Sequence, residues 1–475
     1  MTTTSRWMRG AVAAAAALAL ALGGTAAANA DGAHRPGDGW RELAPGPEPV
    51  SNPLKGFVPF AGDYPDFPHS MEWSYFPVNA VMTGPDTFDW TTVDDTIDAI
   101  AARGHQTTLR FYLDYPQRPS GIPQFLIDGG LETYPYTEFG NTTSVIPDYD
   151  DPALLDALDA FIAALGAHLD GDPRIGFIQV GLIGFWGEWH TWPYNGDGYP
   201  NRMPSDANQA RVLASFLAAF DETDVEVRYA STANASLDVG YHDDSFALTT
   251  KPSPYGWYFM DQVIAAGAED KWRTNSIGGE LRPELQPCIF SDAGCPVIQE
   301  GGDNDFDGSV AVTHASWLLN HYAFQTGYAE PDRQRAIDGA RSLGYSLRVD
   351  AVKLGVARGA HGHTAGGALD LAITAENVGI APFYYDWPMT VALADPRGRI
   401  VREWATDWTL ADIGAEGEVR FDAEFATHGV RPGAYTVLLQ GTNPMETGAP
   451  VRFANADQDA TVDGWLTLGR VNVHP

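Results

Sequence analysis

The chain has 475 residues, a formal net charge of −33 and only two cysteines. This length is too great for one small core and predicts a large domain with an accessory domain. The strong negative charge disfavours nucleic acids and anionic membrane surfaces as partners, because both bind basic surfaces.

The first 30 residues have the pattern of a secretory signal peptide. Arg6 and Arg9 form its positive region, residues 11–22 are an apolar run too short to span a bilayer, and the segment 28–30 (ANA) fits a cleavage site. We therefore expect residues 1–30 to be removed and the protein to be secreted and extracellular. No later segment is expected to cross a membrane.

After a Pro- and Gly-rich lead-in at 31–51, predicted strands alternate with predicted helices. Apolar runs and helical spacing distinguish the two types of element. Strands are predicted at 52–60, 75–82, 106–113, 175–188, 225–230, 245–249, 274–280 and 310–313, with helices near 91–103, 152–165, 205–220, 259–266 and 332–343. Eight strands in this alternation predict a (β/α)8 TIM barrel over residues 52–344, in the α/β class.

The pattern changes at residue 345. Short runs of alternating apolar and polar residues are separated by Gly, Pro, Asn and Asp, and helical spacing is absent. This pattern is typical of a β-sandwich. We predict a C-terminal β-sandwich accessory domain over 345–475.

The segment 288–307 contains a pair of cysteines and a run of alternating aspartates. Cys288 and Cys295 are seven residues apart, which in an oxidising compartment predicts a short disulfide, with two free thiols as the alternative. Asp303, Asp305 and Asp307 match the first half of a calcium loop, but His314 stands where that loop needs a Glu. We expect a solvated acidic loop and no metal.

Glu188 ends the apolar run 175–188, between Trp186 and Trp189 and beside glycines. The carboxyl ends of parallel strands are where ligands bind in such folds. Removal from bulk water favours the neutral form of a carboxyl group, which suits a proton donor. Glu188 is therefore a candidate catalytic acid.

Glu280 is a second isolated glutamate, at the end of the predicted seventh strand. Both glutamates are expected to project from the mouth of the barrel. Carboxyl groups about 5–5.5 Å apart support retaining hydrolysis of a glycoside, whereas about 6.5–9.5 Å leaves room for a water and inversion. We predict glycoside hydrolysis, with retention favoured and inversion left open.

Four runs carry a resemblance to a known family: NPLKGF at 52–57, GFWGEW at 184–189, GGE at 278–280 and NVGIAPFY at 377–384. Together they resemble a bacterial barrel family catalogued as domain of unknown function 4832. The order of elements and the FDW segment at 88–90 resemble the clan A glycoside hydrolases. This resemblance implies that Glu188 is the acid/base and Glu280 the nucleophile.

One position departs from the clan A pattern. Clan A enzymes usually place Asn before the strand-four glutamate, where it binds the 2-hydroxyl of the sugar, and this chain has Gly187 there. The resemblance then implies that Arg110, His190 or Asn320 holds that hydroxyl, or that the 2-position is recognised differently.

Candidate substrate-binding residues are the polar and aromatic side chains near predicted strand ends, although the aromatic ones are equally suited to core packing. They are Arg110, Tyr112, Trp186, Trp189, His190, Tyr255, His314 and Trp317. We expect an oligosaccharide or polysaccharide substrate and no cofactor. A barrel that binds carbohydrate without cleaving it is the alternative, and a polysaccharide lyase is disfavoured because the predicted mouth is acidic.

Overall fold

A computed structural model describes residues 39–196, 198–299, 301–357 and 367–474. The predicted signal peptide, residues 1–30, lies outside the described residues.

Eight parallel strands form one sheet that closes into a barrel. Each strand pairs with its neighbour in chain order, the last pairs with the first, and a parallel bridge between Phe60 and Trp73 joins the first two. The predicted TIM barrel is therefore confirmed. Its strands are β1 (Gly56–Val58), β2 (Met71–Pro77), β3 (Gln106–Tyr112), β4 (Ile175–Gln179), β5 (Val225–Val227), β6 (Gly240–Phe246), β7 (Ile277–Leu281) and β8 (Trp317–Leu319).

Helices cover the outside of the barrel. They form where buried apolar residues recur at helical spacing, as at Val93, Ile97 and Ile100 in the first of them. The helices are α1 (Thr91–Ala101), α2 (Gln124–Asp128), α3 (Pro152–Leu169), α4 (Asp206–Ala219), α5 (Phe259–Ala266), α6 (Phe306–Thr313), α7 (Tyr322–Gln325) and α8 (Asp332–Ser342).

Helix α3 begins sharply and is unusually apolar. Asp151 caps it by accepting hydrogen bonds from the amides of Ala153 and Leu154, and Pro152 occupies its first turn. Among the described helices, α3 alone is long and apolar enough to cross a membrane, contrary to the expectation from sequence. Half of it is buried in the protein, and its apolar stripe packs into the barrel core. Core packing accounts for its composition.

Three barrel strands differ in position from the predictions, and the second strand of the barrel is Met71–Pro77 rather than 75–82. Residues 310–313, predicted as the eighth strand, belong to α6, because Asp305 caps that helix by accepting from the amide of Gly308. The eighth strand is Trp317–Leu319. The sixth begins at Gly240 rather than 245, because its buried residues include charged side chains that an apolar pattern does not detect.

The C-terminal region is a β-sandwich, as predicted. One antiparallel sheet comprises Trp40–Glu42, Leu347–Ala357, Ala368–Asn377 and Glu418–Ala426, and the other Ile400–Thr409, Pro388–Ala394, Gly433–Gly441 and Leu466–Val473. The two sheets share one hydrophobic core. The lead-in therefore contributes a strand to this domain, through Trp40–Glu42.

The sandwich packs against the amino end of the barrel strands. The hydroxyl of Tyr384 donates to the carbonyl of Trp272, and that of Tyr345 donates to the carbonyl of Pro53. A continuous hydrophobic cluster joins barrel and sandwich residues at this end. We call this end the base of the barrel and the opposite end, formed by the carboxyl ends of the strands, the mouth.

The predicted disulfide is present. Cys288 and Cys295 are bonded, with their Cα atoms 5.0 Å apart, in the loop that follows β7.

Candidate active site

Glu188 reaches the mouth by an irregular path. Strand β4 ends at Gln179, earlier than predicted, and the chain rejoins the barrel edge where Phe185 forms a bridge with Asp114, just beyond β3. The amide of Trp186 donates to the carbonyl of Asp114 at 2.9 Å. Trp186 and Trp189, on either side of Glu188, both have left-handed φ angles of 54° and 56°. Such angles cost about 1–2 kcal/mol each for side chains other than Gly and cluster at functional sites.

The carboxylate of Glu188 lies between two nitrogen donors. Its Oε1 is 3.4 Å from Nη1 of Arg110, and its Oε2 is 3.3 Å from Nε2 of His190. The side chain is 15% exposed. The apolar surroundings expected from the two neighbouring indoles are thus replaced by a cation and an imidazole.

Arg110 is the buried cation at the centre of the site. It projects from β3 and forms an ion pair of 2.9 Å with Asp244. It also donates to the side chain of Gln179 and to the hydroxyl of Tyr75, and lies over the ring of Trp73 at 5.2 Å. A buried guanidinium stays charged and needs such partners. Arg110 therefore holds a fixed positive charge beside Glu188.

Glu280 lies at the end of β7 and is partly exposed. No donor among the described residues reaches its carboxyl group. Burial, and then the negative charges of Glu188 and Asp244, raise the pKa of Glu280 well above its usual range. The charge of Glu188 acts on Glu280, so the structure brings the two predicted carboxyl groups together at the mouth.

Asp244 and His242, both on β6, were missed by the sequence analysis. Although burial raises the pKa of Asp244, the charges of Arg110 and His242 bring it below its usual range. Burial lowers the pKa of His242 to about 4, so its ring is neutral near pH 7. Their alternation along Gly240–Phe246 is a strand signal, but a polar one.

Tyr75 and Tyr115 also belong to the site and were not predicted. Their rings meet edge to face at 5.5 Å. Burial is the largest cause of the raised pKa of both hydroxyl groups, and the negative charges of Glu188 and Glu280 raise it further. They form the wall of the site on the side of β2 and β3.

The backbone explains Gly187, the position that departs from clan A. Gly187 has a φ of 71°, and a Cβ there would lie 3.0 Å from the carbonyl oxygen of Phe111 and 3.2 Å from the Cα of Gly181. An Asn side chain does not fit without a shift of this backbone. Of the alternatives, Arg110 and His190 contact Glu188, whereas Asn320 is buried and donates to the hydroxyl of Tyr328 at 3.2 Å.

Three other predicted residues lie at or near the mouth. Tyr112 is buried and packs against Tyr115 at 5.1 Å. Trp189 is also buried, and its indole donates to the carbonyl of Val180 at 2.6 Å, which ties down the loop that carries Glu188. Tyr255 is 51% exposed on the loop after β6.

The structure places His314 and Trp317 away from the mouth, at the base. His314 stacks on Trp272 at 3.6 Å and bonds to the carbonyl of Ile380 in the sandwich. Trp317 is fully buried and donates to Glu226 at 3.1 Å. The predicted eighth strand was displaced, so His314 in fact precedes β8 and Trp317 begins it.

The acidic loop is paired with a lysine. Nζ of Lys251 is 2.7 Å from Asp305 and 3.8 Å from Asp303, and so supplies the positive charge next to these two carboxylates. Asp307 lies in the first turn of α6, where a negative charge is favourable.

One cluster of described residues has donor atoms suited to a metal. His69, Glu72 and His105 place one such atom each within 4.8 Å of one another at the base. Glu72 also accepts from Arg103 through both oxygens and from His105 at 2.9 Å. Arg103 thus already balances the charge of Glu72.

Comparison with known proteins gives a fold likeness alone. No family model matches the chain, so the resemblance to family 4832 is not confirmed, and no curated protein matches it. The solved structures that resemble it include endo-glycoceramidase II from Rhodococcus sp., at 13% identity over 82% of this chain and 100% of that one, with a TM-score of 0.37. A xylanase from Cellvibrio japonicus shares 11% identity over 62% and 98%, with a TM-score of 0.35. A family 39 glycoside hydrolase from Bacteroides cellulosilyticus shares 10% over 79% and 81%, with a TM-score of 0.30. At TM-scores this low, the likeness carries no argument about activity.

Proposed function

We propose that this chain is a secreted glycoside hydrolase whose two catalytic carboxyl groups belong to Glu188 and Glu280. One observation carries the proposal: Glu188, on the segment after β4, and Glu280, on β7, both lie at the mouth, and the charge of Glu188 adds to the effect of burial in raising the pKa of Glu280. A pair of interacting carboxyl groups titrates as a unit and holds one proton between them over a range of pH. One acid and one carboxylate are what glycoside hydrolysis needs.

The proposed mechanism is retaining, with Glu188 as acid/base and Glu280 as nucleophile. Glu280, the proposed nucleophile, has the raised pKa, so it has to give up its proton before it can attack, while Arg110 and His190 face Glu188. A proton transferred to Glu188 removes the charge that helps to raise the pKa of Glu280. The transfer therefore yields acid and nucleophile together, with the proton passing from Glu280 to Glu188 as substrate binds.

Arg110 and Asp244 position the site. The ion pair with Asp244 at 2.9 Å keeps Arg110 in place, and Arg110 in turn fixes one oxygen of Glu188. Since this chain has Gly187 where clan A has Asn, and a Cβ there would lie 3.0 Å from the carbonyl oxygen of Phe111, Arg110 or His190 is the proposed contact of the sugar 2-hydroxyl.

The charge of the chain and its cysteine pairing support the proposed compartment and the proposed class of substrate. The disulfide between Cys288 and Cys295 is stable in an oxidising compartment, and secreted proteins are exposed to such a compartment. The formal charge of −33 opposes nucleic acids and anionic membrane surfaces and leaves a glycan as the proposed substrate. No step of the proposed mechanism uses a cofactor or metal.

The test is hydrolysis of a panel of aryl glycosides and neutral polysaccharides by the mature protein. We expect Glu280→Gln to lose activity on every substrate. We expect Glu188→Gln to keep activity on 2,4-dinitrophenyl glycosides, whose leaving group needs no proton, and to lose it on polysaccharides. Glu269→Gln, an exposed glutamate after α5, is the matched control. Retention is read from the anomeric form of the first product by NMR.

Each outcome has a distinct meaning. If Glu280→Gln is the variant that keeps the activated substrates, the two roles are exchanged. If the first product is inverted, Glu280 is a general base. If folded wild-type protein binds a glycan and never cleaves it, the enzyme proposal fails, and the barrel is a carbohydrate-binding protein.

A further inference from the structure

A row of four aromatic rings leaves the candidate site on the side of Glu188. Tyr115 contacts Trp186 with ring centroids 6.4 Å apart, Trp186 contacts Phe139 at 4.8 Å, and Phe139 contacts Trp192 at 6.4 Å. Tyr115 and Trp186 are partly buried, whereas Phe139 is 37% and Trp192 60% exposed. We call these four residues the aromatic row. It becomes more exposed with distance from the catalytic centre.

Core packing does not explain the outer part of this row. An exposed tryptophan or phenylalanine gains little from burial, and contiguous exposed rings mark binding surfaces. Trp186 and Phe139 both have left-handed φ angles, 54° and 55°. The backbone of each is held by a hydrogen bond, from the amide of Trp186 to Asp114 and from the side chain of Gln117 to the carbonyl of Phe139. Unfavourable backbone angles are thus maintained where they place two adjoining rings.

The position of the row relative to Glu188 decides which part of a substrate it faces. In glycoside hydrolysis the acid protonates the oxygen of the leaving group, while the second carboxyl group attacks the sugar ring. Trp186 is two residues from Glu188, and its ring lies 5.9 Å from that of His190, which contacts Glu188. The row therefore adjoins the segment that carries Glu188, the proposed acid.

The charges near the row favour a neutral ligand. Glu138 precedes Phe139 in the chain and accepts from the hydroxyl of Tyr194 at 2.6 Å. This hydrogen bond lowers the pKa of Glu138, which therefore stays negative. Arg118 lies over Tyr115 at 4.1 Å, at the inner end. The outer end is thus apolar and acidic, which suits uncharged sugar rings and opposes a polyanionic glycan.

We propose that the aromatic row binds the sugar residues on the leaving-group side of a neutral glycan, so that the enzyme releases an oligosaccharide rather than a small alcohol. This inference rests on the proposed function. Trp186 and Phe139 face the nearer sugar residues and Trp192 a more distant one. An aryl glycoside, whose leaving group is a single ring, does not extend to Trp192.

The experiment compares Trp192→Ala with wild type on two substrates that carry the same sugar. One is the 4-nitrophenyl glycoside, and the other is a series of neutral oligosaccharides of two to six residues. We expect kcat/KM of Trp192→Ala to fall about 10-fold on the longer oligosaccharides and to be unchanged on the aryl glycoside. Val401→Ala is the control, because Val401 is 39% exposed on a strand of the sandwich, away from the mouth.

Calorimetric binding of the same oligosaccharides separates this inference from the proposed function. If long oligosaccharides bind Trp192→Ala more weakly and wild type hydrolyses none of them, the aromatic row is a sugar-binding surface but the proposed hydrolase function is wrong. If wild type hydrolyses normally but Trp192→Ala and Val401→Ala lose activity equally, the inference is overturned and the hydrolase stands. The same holds if neither Trp192→Ala nor Phe139→Ala loses activity. Absence of both binding and hydrolysis across the panel overturns both. Tighter binding of oligogalacturonate than of neutral oligosaccharides contradicts the inference that the aromatic row binds a neutral glycan.

Discussion

Glutamates at the two ends of the barrel differ in whether their carboxyl groups have hydrogen-bond donors. At the base, Glu226 accepts from Ser276 at 2.7 Å and from Trp317 at 3.1 Å, and Glu72 accepts from Arg103 and His105. At the mouth, Glu280 has no donor among the described residues, and a second negative charge adds to its raised pKa. Buried polar groups with partners are tolerated, whereas a carboxyl group without them is retained at a cost. The contrast separates glutamates of the fold from glutamates of the site.

The largest effect is expected at Arg110, which contacts two acids of the candidate site at the mouth. Arg110→Met removes the cation that balances Asp244 and contacts Glu188. Loss of one member of a buried ion pair costs up to about 3–5 kcal/mol, and Asp244 then keeps, among the described residues, only His242 at 3.0 Å and the more distant guanidinium of Arg228 at 3.7 Å. We expect the free energy of unfolding, from urea titration, to fall by about that amount and hydrolysis to be lost. Arg110→Met with Asp244→Leu should recover part of the stability and none of the activity.

A matched pair of glutamate variants tests the contrast itself. We expect Glu72→Gln at the base to lower the free energy of unfolding by about 2–3 kcal/mol, because Arg103 and His105 lose their anionic partner, and to keep activity. Glu280→Gln at the mouth should reduce kcat by at least about 10³-fold without loss of stability. Urea titration and hydrolysis of both variants are compared side by side. A stability loss in Glu280→Gln larger than that in Glu72→Gln contradicts the distinction between the two ends.

Stability should also depend on pH through the buried acids. Burial raises the pKa of Glu226 to about 8 and that of Asp114 to about 7, so the folded protein holds protons that the unfolded chain has released. This stabilisation is complete below the unfolded pKa near 4 and is lost as pH rises through the folded values. Burial lowers the pKa of His69 and His242 to about 4, which acts in the opposite direction only below about pH 6.5.

Between pH 6.5 and 8 the free energy of unfolding should therefore fall with rising pH, by about 1.4 kcal/mol per pH unit at most for each group. Glu226→Gln should flatten this slope at the base, and Asp114→Asn should do so at the mouth. Urea titrations at pH 6.5, 7 and 8 measure both. A slope that is unchanged in both variants means that neither acid is protonated in the folded state.

The smallest effect is expected from added methyl groups at two glycines. Gly187→Ala at the mouth forces a Cβ against the carbonyl of Phe111 at 3.0 Å and should cost about 1–2 kcal/mol with reduced activity, because Glu188 follows directly. Gly278→Ala at the base places a Cβ 2.2 Å from the indole of Trp317 and should cost about 1–3 kcal/mol. Thermal unfolding and kcat distinguish them. Equal losses of kcat contradict a local effect at Gly187.

The sequence predicted the site in part. The sequence pointed to Glu188 and Glu280 as candidates because each is a lone carboxylate that follows an apolar run. It did not point to Asp244 and His242, because polar residues on the inner face of a strand interrupt the apolar pattern by which strands are predicted. Tyr75 lies in a predicted strand and Tyr115 follows β3, and only the tertiary structure brings their rings together.

The sequence alone predicted the barrel, the sandwich and the disulfide, and it supplied the two candidate glutamates, because periodic burial and cysteine spacing are local properties of the chain. The tertiary structure decided the rest. The pairing of Arg110 with Asp244 and Glu188 joins residues from three segments of the chain. The eighth strand begins at Trp317, later than predicted, so Trp317 lies at the base and not at the mouth. Strand register and loop path come from contacts between segments distant in sequence, and these set which side chains share an end of the barrel.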